Sequence, residues 1–159
     1  MIERTFVAIK PDGVQRQIAG EIIRRFENVG VKIIGMKMKW ITPEFSKQHY
    51  KELVKKPFYP TLEKYITEGP VIAMVLEGVD VVSLVRKMCG ATESAKAEPG
   101  TIRGDYSHHT YAYADKKGVS VKNVIHASGT KEEAEAEIAL WFTPNELHGY
   151  KTVHEIHTL

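Results

Sequence analysis

One histidine in the last third of the chain stands where phosphate chemistry could be done. His126 ends an apolar, β-branched run and is followed by the small residues Ala127 and Ser128. An imidazole has an ordinary pKa of about 6.5, so much of it is unprotonated and nucleophilic near neutral pH. Because the run before it favours a strand, we expect His126 at a strand end, where a ligand can approach it closely.

Glu137 supplies a carboxylate near this histidine. It lies on a predicted helix, at the edge of the stripe of apolar side chains expected to face the core, namely Ala134, Ile138, Trp141 and Phe142. A carboxylate in such a place needs a partner, and we predict that Glu137 holds the second ring nitrogen of His126. By composition alone, either residue is more often structural or solvated than catalytic.

The chain has none of the glycine-rich loops that bind phosphates through the backbone. Neither G-x-x-x-x-G-K-[ST] nor G-x-G-x-x-G occurs, and the protein-kinase D-F-G is also absent. If nucleotides bind here, side chains must hold their phosphates.

The elements that position these residues follow an α+β order. Apolar runs predict strands at 5–10, 34–40, 71–76 and 119–126, and helical spacing predicts helices at 22–29, 43–54, 57–67, 81–89 and 131–142. Residues 91–118 are expected to form mainly loop. With the helical pair as an insertion, this order predicts a ferredoxin-like βαββαβ fold. We expect an antiparallel sheet sandwich with a C-terminal helix, in a single domain over 1–159.

Local signals mark the ends and faces of these elements. Three residues are predicted N-caps: Thr42, Asp80, and Thr130 with Glu133 as a capping box. Period-two alternation is expected to place four side chains on one face of the second strand: Ile34, Met36, Met38 and Trp40.

Bulk composition excludes several classes of protein. The 159 residues are 43% hydrophobic and 26% charged, a globular balance, and the net charge of +2 provides no general basic field for nucleic acid. Cys89 is the only cysteine, which excludes an internal disulfide and suits a reducing compartment. The longest apolar run, Val71 to Leu76, is too short to cross a bilayer, and no signal-peptide core is present. We therefore expect a cytoplasmic protein.

Five separate blocks, in order, resemble the nucleoside diphosphate kinase family. They extend over nearly the whole chain: Ala8–Arg16, His49–Leu62, Val85–Thr92, Pro99–Tyr106 and Asn123–Ser128. The resemblance implies transfer of the terminal phosphate of a nucleoside triphosphate, typically ATP, to a nucleoside diphosphate. The mechanism would be ping-pong, through a phosphohistidine at His126.

The same resemblance implies a role for each matching residue. Glu137 and Ser128 would form the hydrogen-bonded cluster of His126, with Tyr50 nearby. Lys10 would bridge the ribose 3′-hydroxyl and the transferring phosphate. The implied phosphate-binding positions are Arg86, Thr92 and Arg103. The implied sugar and base contacts are Asn123, Phe58 and Leu62, and stacking on Phe58 would tolerate any base.

Cofactor and partners follow from the resemblance as well. Mg²⁺ is expected to arrive on the nucleotide phosphates, because the sequence shows no dedicated carboxylate cage. The expected partners are nucleoside di- and triphosphates and other copies of the chain, usually six in this family, with no membrane and no nucleic acid required.

Two departures from the family pattern leave questions open. Gly129 stands where the family usually has an acid, so we expect a modest loss of local rigidity. The stretch between Arg103 and Asn123 is longer than in typical members, so residues 106–122 do not align with the family pattern. An extra hairpin, an oligomer contact and a lid near the nucleotide are all compatible with that length.

Two other functions compete with that of a kinase. A non-catalytic ferredoxin-like nucleotide- or RNA-binding module would need aromatic residues on its central strands and a basic face. The run before His126 has no aromatic residue. A catalytically silent assembly subunit is disfavoured, because Lys10, Arg103, Asn123, His126 and Glu137 are all present.

Overall fold

Four antiparallel strands form one sheet in a computed structural model that describes residues 1–159. The strands are β1 (Ile2–Ile9), β2 (Lys32–Lys39), β3 (Val71–Val79) and β4 (Ile125–Ala127), and their order across the sheet is β2-β3-β1-β4. This is the arrangement of a ferredoxin-like fold, so the fold prediction is confirmed.

Helices connect these strands and cover both faces of the sheet. Those before β3 are α1 (Pro11–Gln15), α2 (Ala19–Asn28), α3 (Pro43–His49) and α4 (Tyr59–Thr67). Those after it are α5 (Val81–Cys89), α6 (Ile102–Tyr106), α7 (Tyr111–Lys117), α8 (Lys131–Trp141) and α9 (Glu155–Thr158). Two single 3₁₀ turns lie at Ser94–Lys96 and Pro144–Glu146.

The central strand β1 explains why there are two cores. Phe6 and Ala8 point into a core shared with α3, α4 and α8, whereas Val7 and Ile9 point into a second core shared with α2 and α5. Because alternate side chains of a strand face opposite sides, a strand buried on both faces has a continuous apolar run.

The prediction that Ile34, Met36, Met38 and Trp40 lie on one face of β2 is wrong, because a β-bulge interrupts the strand. Ile33 pairs with Leu76 and Gly35 with Val75, which leaves Ile34 as the extra residue. Ile34 is buried, but Met36, Met38 and Trp40 are each more than half exposed. The bulge changes the face to which every later side chain of this edge strand points.

Several predicted boundaries also shift. Helix α3 ends at His49 rather than near residue 54, and hydrogen-bonded turns lead to α4; the residue before Pro57 disfavours helix. The last strand is limited to Ile125–Ala127. Residues 91–118 contain α6 and α7, whose starts are capped by Thr101 and Thr110. These two caps are signals that the sequence analysis missed.

The other predicted caps have different outcomes. Thr42 accepts a hydrogen bond from the Phe45 amide, as expected. Asp80 makes no side-chain cap; its carboxylate binds the N-terminal ammonium of Met1 instead, over 2.9 Å. Thr130 caps α8, but Glu133 accepts from the Gly129 amide rather than from that of Thr130, so the capping box is incomplete.

Removal of the Thr130 cap should lower stability without changing catalysis. Thr130→Ala leaves the Glu133 amide without its side-chain acceptor at the start of α8, and we expect a loss of about 1 kcal/mol in the free energy of unfolding. Urea titration checks this value, and Thr130→Ser, which keeps the hydroxyl, should stay near wild type. Equal stability of the two variants would contradict the cap.

Candidate active site

One cleft collects nearly all of the residues singled out in the sequence. Its cavity has a volume of about 1020 Å³ and lies between the helical pair α3–α4, the segment 111–123 and the end of β4. Ten of the predicted residues line it: Lys10, Tyr50, Phe58, Leu62, Arg86, Thr92, Arg103, Asn123, His126 and Glu137. Ser128 is fully buried behind this surface.

The centre of the cleft is a histidine held by a carboxylate. β4 pairs His126 with Ala8 of β1, and His126 Nε2 lies 2.8 Å from Glu137 Oε1 on α8. The Ser128 hydroxyl donates to the other Glu137 oxygen over 2.5 Å. Because an ionised carboxylate only accepts hydrogen bonds, Nε2 donates this bond, and in the neutral form of the ring the lone pair then lies on Nδ1. The predicted pairing of His126 with Glu137 is therefore present in the structure.

Glu137 is held in its ionised form. Burial raises the pKa of its carboxyl, but the hydrogen bond from His126, the nearby imidazoles and the Ser128 hydroxyl outweigh burial, so this pKa lies below its ordinary value. The carboxylate can thus accept from His126 and Ser128 at neutral pH.

His49 is a site residue to which the sequence analysis assigned no role. Its side chain is only 2% exposed, and its ring meets that of His126 edge-on at 4.7 Å between centroids. The Trp141 indole N–H donates to His49 Nδ1 over 3.1 Å. Burial lowers the pKa of His49 to about 3, and the neighbouring imidazole of His126 acts in the same direction, so His49 is neutral near pH 7. The signal in the sequence for a role of His49 was its position directly before Tyr50, which was already a predicted site residue.

His49, His126 and Glu137 are close enough to hold a metal ion. Their ligand atoms lie within 4.8 Å of one another. Each of these atoms already has a hydrogen-bond partner in the protein, since Nδ1 of His49 binds Trp141 and Glu137 binds His126 and Ser128. These bonds account for the close approach without an ion.

Three basic side chains surround the end of the cleft that contains His126. Lys10 is 7% exposed and donates to Asn123 Oδ1 over 2.6 Å; burial lowers its pKa to about 7. Arg103 donates to the carbonyls of Gly90 and Ile125, and its buried Nε has no partner. Arg86 reaches the Ala127 carbonyl at 3.4 Å. This end of the cleft suits a multiply charged anion.

The other end of the cleft suits a flat, apolar group. Phe58, at the start of α4, is 52% exposed, whereas Leu62 one turn later is buried in the core with one edge on the cleft. Tyr50, also buried, lies 6.1 Å from His126 between ring centroids, and burial raises the pKa of its hydroxyl. The cleft therefore passes from an exposed aromatic ring to a cationic pocket around His126.

Residues 106–122 contain the helix α7 and no hairpin. Helix α7 lies at the rim of the cleft, and Tyr111, Ala114 and Asp115 line its wall. Bonds from the Tyr111 amide to Glu93 and from the Ala95 amide to the His109 carbonyl attach it to the preceding loop. Of the three possibilities left open, this placement beside the cleft favours the lid near the nucleotide over the hairpin.

The ferredoxin-like sheet and the basic cleft around His126 define an α+β protein whose side chains, rather than a glycine-rich loop, are suited to bind phosphate groups. The family described as "Nucleoside diphosphate kinase" matches residues 3–147. The chain belongs to the nucleoside diphosphate kinase family. It is an enzyme of phosphate transfer between nucleotides, and the reading as a non-catalytic binding module is not favoured.

Similar proteins come from distant organisms. Nucleoside diphosphate kinase of Pyrococcus furiosus is 52% identical over 149 residues, 94% of this chain and 88% of that protein. Nucleoside diphosphate kinase B of Rattus norvegicus is 49% identical over 151 residues, 95% and 93% of the two chains.

Two solved structures share the fold. The Borrelia burgdorferi enzyme, a transition-state mimic with bound vanadate and ADP, has a TM-score of 0.95, 41% identity and coverage of 99% of this chain and 96% of its own. The Halobacterium salinarum enzyme in complex with CDP has a TM-score of 0.87, 42% identity and coverage of 98% and 97%. In our structure, no helix has the length and apolarity that a membrane span requires.

Proposed function

We propose that the chain carries phosphate between nucleotides on His126. In the first half-reaction, the Nδ1 lone pair attacks the terminal phosphorus of a nucleoside triphosphate, the bond to the bridging oxygen breaks, and the nucleoside diphosphate leaves. In the second, a terminal phosphate oxygen of another diphosphate attacks the same phosphorus and the P–N bond breaks. The observation that carries this proposal is the 2.8 Å pairing of Nε2 with Glu137, which orients the ring so that Nδ1 of the neutral imidazole carries the lone pair.

The cations of the cleft are assigned to the transferring phosphate. Lys10, Arg86 and Arg103 converge on the pocket that contains His126, and charge on the equatorial oxygens is what phosphoryl transfer must stabilise. Thr92 would add a hydroxyl to the phosphates, and Asn123 would bind the sugar. Ser128 and Tyr50 would keep Glu137 and His126 in place.

Magnesium is proposed to enter as part of the nucleotide substrate. The phosphate end of the cleft presents three cationic side chains, while Glu137 is already bound by two donors. This donor set fits an ion coordinated by the nucleotide's own phosphates better than one held by the protein.

A pulse and chase tests the function directly. Purified protein is mixed with Mg²⁺ and ATP labelled on its terminal phosphate, and free nucleotide is then removed. We expect label that stays on the protein, is lost in acid but not in alkali, and passes to added GDP. Protein that binds nucleotide without taking label would contradict the proposal and favour a silent binding subunit.

Loss of the exposed aromatic ring should weaken nucleotide binding. Phe58→Ala removes the stacking surface, worth about 1–3 kcal/mol per base, so we expect the KM to rise roughly tenfold for ATP and GTP alike. Steady-state kinetics measure this change. Tyr113→Ala is the control, because Tyr113 is similarly exposed and does not line the cleft. An effect on one nucleotide only would contradict simple stacking.

We also propose a homo-oligomer, a hexamer by family resemblance, in the cytoplasm. Met36 and Met38 on the edge strand and Trp40 directly after it form an exposed apolar strip. This strip supports association, because such apolar surface is stabilised by a partner. Light scattering should give six times the chain mass of 17.9 kDa. A mass of one chain would contradict the assembly.

A further inference from the structure

Asp12 and Tyr65 form a buried pair directly behind the cleft. The Tyr65 hydroxyl donates to Asp12 Oδ1 over 2.6 Å, and the two residues are 2% and 7% exposed respectively. Neither lines the cleft, and the roles assigned above use neither. A carboxylate is costly to bury, so its presence here needs a reason beyond packing.

The pair is connected to two residues assigned to the nucleotide. The backbone amide of Asn123 donates to the same Tyr65 oxygen over 3.3 Å, and Lys10 Nζ lies 5.2 Å from the centroid of the Tyr65 ring. Lys10 in turn donates to Asn123 Oδ1. One tyrosine thus contacts both the lysine and the asparagine, from helix α4 more than fifty residues away in sequence.

The backbone that presents Asn123 is strained. Val124 has a φ of +61°, a region that β-branched residues rarely adopt, and the Ile125 amide donates to the Asn123 carbonyl over 2.7 Å across it. Such a turn persists only where its surroundings hold it. Two hydrogen bonds stabilise the turn. The Tyr65 hydroxyl accepts from the backbone amide of Asn123, and the backbone amide of Lys10 donates to the Val124 carbonyl over 2.8 Å.

We propose that Asp12 and Tyr65 are positioning residues that hold Lys10 and Asn123 in the arrangement used for phosphate transfer. Tyr65 fixes the strained turn and the Asn123 side chain that it carries. Asp12 orients the Tyr65 hydroxyl and provides the negative charge that faces the Lys10 ammonium. The inference rests on the proposed function, because Lys10 and Asn123 act on the nucleotide only if that function holds.

The charges around Lys10 support the role of Asp12. Groups from five helices act on it or border it: Asp12, His49, Tyr65, Cys89 and Arg103. Burial lowers the pKa of Lys10 to about 7, Arg103 acts in the same direction, and Asp12 opposes both. Burial raises the pKa of the Cys89 thiol to about 11 and that of Tyr65 well above its ordinary value, so both are neutral near pH 7. Asp12 is therefore the carboxylate among these groups, and its charge favours the ammonium form of Lys10.

Tyr65→Phe tests the positioning of Asn123. The variant keeps the ring and removes the hydroxyl. We expect kcat to fall about tenfold, while KM stays within twofold of wild type. The variant should still take up one labelled phosphate per chain from ATP. Tyr59→Phe is the matched control: it removes another buried hydroxyl of α4, bonded to Ser46 and Glu63, away from the cleft. A Tyr65→Phe rate within twofold of the Tyr59→Phe rate would overturn the role of Tyr65.

Asp12→Asn tests the charge. The profile of kcat/KM against pH reports groups of the free enzyme, and activity that needs the Lys10 ammonium falls as pH rises through the pKa of Lys10. Without Asp12 this pKa is lower, so the alkaline limb should move at least half a pH unit downward. If Asp12→Asn does not fold, Asp12→Ser is used in its place. A limb that coincides with that of wild type would overturn the role of Asp12, since lost stability alone does not move it.

Failure of this inference is distinguishable from failure of the kinase mechanism. If wild-type protein takes no label from ATP, the proposed function fails and the positioning role fails with it. If wild type is labelled and active while Tyr65→Phe matches Tyr59→Phe and Asp12→Asn keeps the wild-type pH profile, only the positioning role is wrong.

Discussion

His126→Ala should lose phosphate transfer almost entirely, with kcat reduced roughly 10⁴-fold or more, because the variant lacks the nucleophile that forms the covalent intermediate. No neighbouring group can replace it. The side chain of His49 is 2% exposed, and its Nδ1 accepts a hydrogen bond from the Trp141 indole. The variant should therefore take no label from ATP.

The measurement combines steady-state transfer from ATP to GDP with retention of label on the protein. His154→Ala is the control, because His154 is an exposed histidine of the C-terminal tail outside the cleft. Nucleotide affinity of His126→Ala, measured by titration, should stay within a few fold of wild type. Acid-labile label on His126→Ala would show that another residue carries the phosphate.

Lys10→Met should separate catalysis from stability. We expect kcat to fall about 10²–10³-fold, because the variant loses a positive charge fixed at the developing negative charge. The free energy of unfolding at neutral pH should be equal to or above that of wild type. The lost hydrogen bond to Asn123 contributes about 1.5–3 kcal/mol. The fall in the pKa of Lys10 from 10.5 to about 7 corresponds to a cost of about 5 kcal/mol for keeping the buried ammonium.

The pH dependence gives the sign of this effect. Lys10 has a pKa of about 7 in the folded chain and 10.5 in the unfolded chain, so the unfolded chain binds more protons between these values. Below pH 7 the free energy of unfolding of wild type is lowered by the full cost of burying the Lys10 ammonium. This loss disappears as the pH rises toward 10.5. The advantage of Lys10→Met should consequently shrink between pH 6.5 and 9.5.

Denaturant unfolding of both proteins at those two pH values checks the prediction. Differences between variant and wild type cancel the titration of groups that both share. Lys55→Met is the control, since Lys55 is exposed in the turn before α4 and does not line the cleft. A marked loss of stability in Lys10→Met, constant with pH, would contradict the desolvation argument.

Much of the fold follows from local patterns. The two-sided burial of β1 follows from its unbroken apolar run, and the alternation of strands and helices follows from periodicity. Thr42 caps α3 because a side-chain hydroxyl satisfies a nearby amide, which depends only on residues three apart. The pairing of His126 with Glu137 was accessible in the same way, from the position of a carboxylate on a helical stripe.

Long-range contacts decided the features that the sequence analysis missed. The bulge at Ile34 exists because two strands 40 residues apart pair with unequal residue counts, and no local pattern reports that inequality. Asp80 looked like a cap, but the chain terminus lies beside it and takes its carboxylate. Both errors come from partners brought together by folding rather than by proximity in the chain.

The residues themselves determined the chemistry of this protein: one histidine, its carboxylate, three cations and an aromatic ring, arranged in blocks that resemble one family. Only the tertiary structure decided which histidine nitrogen is free, that His49 is neutral near pH 7, and that Asp12 and Tyr65 support Lys10 and Asn123. The physical reason is that residue type sets what a group can do, whereas hydrogen-bond partners and burial set its protonation and direction. Those partners come from elements distant in sequence.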